Sequence, residues 1–238
     1  MVIMRKAKAW LGFLLGISFF VVLALFCAPV FSGSNGLEQS DRLFNRLAKG
    51  SSYFIPALSS DLGNLPEQRV AISFQMESPD QASQAMSILS KAAPNTTAQG
   101  ATIHIDASLK QILGAVLRDC DAMYLNRADI LQARYGMEGK EALFAWFNTL
   151  NAMARKLQEG TVADIANSKV VLTIVTKGIE PAYNFYGIQP ETVSHRAGIT
   201  TALLAFYLVY TVWWGFAIFY LCEGIGLAMT KARVKREV

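Results

Sequence analysis

AWLGFLLGISFFVVLALFCAPVF, residues 9–31, contains no charged side chain, and its one proline lies near the end. About 20 helical residues, rising about 1.5 Å each, cross the roughly 30 Å core of a bilayer, so this stretch is long enough to span one. A second stretch, AGITTALLAFYLVYTVWWGFAIFYLCEGIGLAM at 197–229, repeats the feature with Glu223 as its only charge. Of the 238 residues, 53% are hydrophobic, and the excess is concentrated in these two blocks. The chain between them has the composition of an ordinary folded domain.

Working outward, Arg5, Lys6 and Lys8 precede the first block, and Lys231, Arg233, Lys235 and Arg236 follow the second. Basic residues beside a span are retained on the cytoplasmic side, which places both termini there. The expected organisation is a cytoplasmic N-terminus (1–8), transmembrane helix 1 (9–31), an extracytoplasmic domain (32–198), transmembrane helix 2 (199–229) and a basic cytoplasmic tail (230–238). In a bacterium this makes the domain periplasmic and the membrane the cell inner membrane. The net charge of +4 therefore reflects topology. Its basic residues flank the bilayer rather than forming a folded basic face, so nucleic acid is not an expected partner. Cleavage of the first block as a signal peptide is disfavoured by its long apolar run and by Ala28-Pro29-Val30-Phe31-Ser32, which offers no small-x-small site. Phe26 likewise argues against a lipid-modified Cys27. Three scattered cysteines make no disulfide framework.

The periodicity of the middle region predicts a mainly helical domain with a small strand-helix-strand element. Residues 37–49 read as an amphipathic helix, with Leu37, Leu43, Phe44 and Leu47 opposite Asp41, Arg42, Arg46 and Lys49. Alternation at 69–76 and 101–106 marks two strands, parallel if they share one sheet through a crossover. Between them Ser78-Pro79-Asp80-Gln81 starts a helix running to Ala92, and 94–100 is a loop. Helical spacing continues from Ala107 to Arg134, with Asp106 as cap and Gly136 as stop, and from Glu138 to Gln158. The β-branched run Val170 to Thr176 fits helix better than strand, because Ile165, Leu172, Val175, Ile179 and Tyr183 keep helical spacing. Pro181 should kink that helix and Gly187 close it, after which Pro190-Glu191 opens the helix of the second span.

Chemistry-bearing motifs are few. There is no phosphate-binding glycine loop, and only two histidines. A mixed metal site from His104, Asp106 and Cys120 with Asp119 and Asp121 matches no known ligand spacing, and a strand residue beside a solvated acidic helix face is the plainer reading. His195, next to Arg196, sits at the mouth of the second span. No catalytic residue, metal or cofactor is expected. The sequon at Asn95 bears on structure only in a glycosylating compartment, and the aromatic run 180–187 reads as core. Glu223 is the most distinctive residue, since ionisable groups in spans are costly. It either reaches the headgroups at the inner edge or pairs with a membrane partner, with Gly224 and Gly226 allowing close helix approach and Trp213 and Trp214 packing on the neighbour. These five residues are the candidate intramembrane contact.

The functional expectation is a non-enzymatic membrane protein whose domain serves as accessory or scaffold subunit of an envelope complex. Its partners are the lipid bilayer and a membrane protein or a second copy. The alternative is a ligand-sensing module. Two spans around a helical domain resemble the layout of bacterial chemoreceptor and sensor-kinase input regions, but only Thr230 to Val238 would remain for output, so a signal would pass through a partner. A membrane-tethered enzyme comes third.

Overall fold

The computed structural model describes residues 5–31 and 33–227; the basic tail 230–238 lies outside them. The fold is mostly helical with one three-stranded sheet, and the described chain separates into two compact units, the segments up to Leu47 and from Glu191, and residues Ala48–Pro190.

In the first unit, α1 (Lys6–Cys27) and α10 (Val193–Gly224) are each long and apolar enough to cross a membrane. They pair as an antiparallel hairpin: Lys8 meets Glu223 at one end, Phe19 stacks on Tyr210 in the middle at 4.1 Å, and Phe26 stacks on Phe206 at 5.5 Å. Neither shows an amphipathic stripe, which is the pattern of a helix surrounded by apolar material. Helix α10 begins at Val193 rather than at Pro190-Glu191, because Glu191 is held elsewhere, its N–H donating to the Arg46 carbonyl at 3.1 Å. Helix α2 (Gly36–Ser51) starts on Asn35, whose Oδ1 accepts the Glu38 N–H at 2.8 Å, an N-cap bond.

The second unit adds α3 (Ile55–Asn64), β1 (Arg69–Gln75), α4 (Pro79–Ala92), β2 (Thr97–Gln99), β3 (Thr102–Ser108), α5 (Leu109–Tyr124), α6 (Ala128–Tyr135), α7 (Gly139–Gln158), α8 (Val162–Ile174), a π-helical segment (Val175–Ile179) and α9 (Glu180–Asn184). Ser78 caps α4 by accepting the Gln81 N–H, as its sequence indicates. The strand order is β1-β3-β2, with β3 antiparallel to both neighbours. The two predicted strands are thus antiparallel, not parallel. The expected crossover connects β1 through α4 to β2, a strand of three residues inside the predicted loop 94–100. Gly100, at φ +59°, is the first residue of the two-residue turn between Gln99 and Thr102, a position that suits glycine in hairpins. One sheet face buries Val70, Phe74, Ile103 and Ile105 against a core that includes Ile112, Leu113, Trp146 and Met153. Helix α7 touches α4, α6, α8 and β1.

Three further expectations change. The helix predicted from Ala107 to Arg134 breaks at Leu125–Arg127, where Asn126 adopts φ +61°, a left-handed conformation that asparagine tolerates. Ser108, not Asp106, caps α5, because Asp106 still belongs to β3 and pairs with Arg69. Lys49 is buried rather than on a solvated face. The run 170–176 is helical as expected, and the chain accommodates Pro181 by widening into the π segment just before it, a common response to a missing N–H.

Candidate functional site

Of the five residues singled out in the second apolar helix, Glu223, Gly224 and Trp214 meet α1 or the residue just before it, whereas Gly226 and Trp213 are engaged within the α10 segment itself. Glu223 pairs with Lys8, and the Arg5 N–H donates to the Gly224 carbonyl at 3.0 Å. A Cβ on Gly224 would collide with the backbone of Ala9, and one on Gly12 would lie 2.5 Å from the Leu221 nitrogen, so two glycines, one on each helix, set the closeness of the pair. Gly12 has the signal of a small residue in an apolar helix and went unremarked in the sequence. Gly226 plays a different part: at φ +87° it ends α10, with its N–H on Glu223 and that of Leu227 on Cys222, the double bond of a Schellman turn. Trp214 packs on Phe19 and Phe20, whereas Trp213 meets Tyr210 edge-on and its indole N–H has no partner among the described residues.

In the domain, a cleft of about 690 Å³ opens between α3, α5 and the start of α6. Its floor includes Ile55, Leu62 and Leu117, and its rim carries Lys110, Arg118, Arg127 and Arg134 against Asp121. Lys110 caps the end of α3 through the carbonyls of Gly63 and Leu65, at 2.8 and 3.2 Å. Asp121 accepts the Tyr53 hydroxyl at 2.5 Å, a bond that pushes the phenol up to about 12. The guanidinium groups of Arg118 and Arg127 make no hydrogen bond or ion pair among the described residues. Chemically this is a water-accessible cleft with surplus positive charge and an apolar floor, suited to a small organic anion.

Behind the cleft lies the polar centre that sequence reading missed. Asp119, expected on a solvated acidic face, is completely buried and accepts from Arg134, from the Tyr135 hydroxyl at 2.6 Å and from the Trp146 indole at 2.8 Å. Burial pushes its carboxyl above the usual range, while the hydroxyl, the indole and the Arg134 charge pull it back. The signal was available: Ile112, Ala115, Asp119 and Ala122 fall on one helical face, so the acid sits in an apolar stripe.

A second buried group, Lys49, is 1% exposed. Its ammonium donates to Asn126 Oδ1 at 3.0 Å, Phe185 O at 3.0 Å and Ile188 O at 2.7 Å, and lies 5.1 Å from the Tyr124 ring centre. Among the described residues no carboxylate pairs with it, and burial pushes its pKa down.

The remaining sequence candidates do not converge. His104 and Asp106 lie on the exposed sheet face, where His104 bonds Ser73 at 2.6 Å and Asp106 bonds Arg69. Cys120 is inside the core, its thiol pushed up by burial. His195 is exposed in the first turn of α10, and Asn95 is exposed. From the aromatic run, Phe185 and Tyr186 pack on the core, and Tyr183 lines a shallow groove of about 280 Å³ with Phe144 and Phe147, whose rings stack at 6.3 Å. No known protein family, curated protein or solved structure matches this chain.

Proposed function

We propose that this chain is an integral membrane protein whose helices α1 and α10 cross the bilayer as a hairpin, both ends cytoplasmic, and whose domain 48–190 binds a partner protein as a non-enzymatic accessory subunit. In a bacterium the spans occupy the inner membrane and the domain the periplasm. One observation carries the membrane half. Only 6% of the most apolar window of either helix is buried, whereas the core helix of a water-exposed fold is mostly covered. Flanks bearing Phe13, Leu14, Phe20, Leu204, Leu208 and Phe216 would face water without a bilayer. The binding half is supported by the groove at Phe144, a half-exposed aromatic stacked on Phe147 beside Tyr183.

The test places a photo-crosslinking phenylalanine at position 144, and at exposed Asn95 as control, in the full chain in its native membrane. A discrete adduct of similar amount to the free chain at 144 and none at 95 supports the reading. No adduct at 144 defeats the partner half. For topology, a membrane-impermeant thiol reagent added from outside should modify Gln99→Cys and spare Lys6→Cys; the reverse pattern inverts the orientation.

A ligand-sensing role is the second reading, favoured by the cleft and by Arg118 and Arg127, which have no ion-pair partner among the described residues. It predicts thermal stabilisation of the detergent-purified chain by small dicarboxylates or phosphate esters, lost on Arg118→Gln.

A further inference from the structure

Within the first unit, a pocket of about 580 Å³ lies where α1 ends and α10 begins. Arg42, Arg46 and Arg196 line it with Gln39, and Glu191 is its one lining carboxylate. Glu191 is already committed, accepting Arg196 in a two-bond fork at 2.7 and 3.1 Å and Arg46 at 3.2 Å, and these cations hold its carboxyl below the usual range. Among the described residues Arg42 has one distant exposed ion-pair partner, Glu38 at 3.8 Å, which is worth little. The pocket therefore keeps positive charge after its own ion pairs are counted.

The second observation is what lies next to it. A groove of about 420 Å³, almost wholly apolar, runs along α1, α2 and α10 past Leu37, Phe44, Leu204 and Tyr207, and it shares Phe26, Ser40 and Leu203 with the arginine pocket. Gly36 makes the junction possible, since a Cβ there would strike the Phe26 ring at 2.5 Å. Leu37 and Phe44, on the apolar side of α2, are 55% and 43% exposed, so the amphipathic face that the sequence predicts is turned partly into this groove rather than fully covered. A cationic pocket opening directly into an uncharged channel beside two spans has the division of a phospholipid, with a phosphate at one end and an acyl chain at the other.

We infer that this composite site binds one anionic phospholipid, its phosphate against Arg42 and Arg196 and an acyl chain along the Leu37–Phe44 groove. The inference rests on the membrane reading above. Occupancy would fix α2 against the ends of the spans, covering Leu37 and Phe44 with lipid.

The test uses the full chain purified in a neutral detergent, with three probes: phosphatidylglycerol, phosphatidylcholine of the same acyl chains, and inorganic phosphate alone. Native mass spectrometry reads retained lipid, and thermal unfolding reads stabilisation. One phosphatidylglycerol should be retained per chain, with an upward shift in melting temperature that phosphate alone does not give. Arg42→Gln, on an exposed helix face, should weaken retention about tenfold, the loss of one charge-assisted contact. Lys140→Gln, in the other unit, should leave it unchanged. Equal retention of the two lipids, a preference that survives Arg42→Gln, or an equal shift with phosphate alone would each overturn the inference. A chain recovered from cells without detergent would instead overturn the membrane reading, so the two failures are distinguishable.

Discussion

Replacing Lys49 by methionine removes one ammonium while keeping a side chain of similar length, and isolates what that buried charge contributes. A hydrogen bond from a charged donor is worth about 1.5–3 kcal/mol. Three are lost, but each acceptor keeps a second donor: Phe185 O has the Ile188 N–H at 3.1 Å, Ile188 O has Asn126 Nδ2 at 3.0 Å, and Asn126 Oδ1 has the Gly187 N–H at 2.8 Å. None is orphaned, which limits the loss to roughly 1 kcal/mol apiece. Against this stands relief of the ammonium's own desolvation, which lowers its pKa. The balance is a destabilisation of about 2 kcal/mol, since apolar replacement of a buried charge recovers part of the loss. For a chain of this size that is a fall in melting temperature of about 4–8 °C. Thermal unfolding of the detergent-solubilised chain measures it, and hydrogen exchange should show faster opening at 125–127 and 185–190 with the sheet unaffected. A melting temperature equal to or above that of the unaltered chain, with protection at 185–190 intact, would refute the reasoning.

Gly12→Leu should separate α1 from α10. A disulfide between Phe19→Cys and Tyr210→Cys, efficient in the parent, should form several-fold less in its presence, and equal yield would sink the close-approach argument. Asp119→Ala leaves the Tyr135 hydroxyl and Trp146 indole without an acceptor and frees Arg134; unfolding should show a loss of about 3 kcal/mol, since breaking a buried pair is strongly destabilising and Arg134 is partly solvated. At Asp164 the Thr161 hydroxyl, then its N–H, hold the carboxyl below the usual range. A carboxyl lowered in the folded state contributes stability present above its unfolded value of 3.8 and lost as pH falls through the lower folded value. Melting curves across that window should therefore flatten in Asp164→Asn, and an unchanged acid slope would show that the cap is not felt.

Much of the helical frame of the domain is legible from side-chain spacing, because α4, α5 and α7 each bury one face and helix ends are announced by Ser78, Gly136 or Gly187. Strand direction is not, since β2 is only three residues long and its exposed side chains give no alternation to read. Nor is the break at Asn126, whose reason is a contact with Gly187 and Ile188 some sixty residues on. Lys49 and Asp119 fail for a common cause. A charged residue is assigned to the solvent face unless its partners are known, and those partners arrive from other elements. In the two long apolar helices the sequence picks out Glu223 and Gly224, and the helix that meets them is α1 of the same chain.

The carbonyls held by Lys49 belong to residues just inside the far end of the domain, while the Arg46 carbonyl takes the Glu191 N–H just outside it. The last turns of α2 and the segment 185–191, where the chain enters and leaves the domain, are therefore fastened side by side. For two helices that must find each other, a long unfolded insert imposes a loop-closure entropy that grows with the logarithm of its length. Once residues 48–190 fold and Lys49 closes on Ile188, that long loop shrinks to the separation of two neighbouring chain ends. The same closure makes the insert transplantable: a segment whose ends already meet can be cut from one hairpin and spliced into another with little demand on its new host.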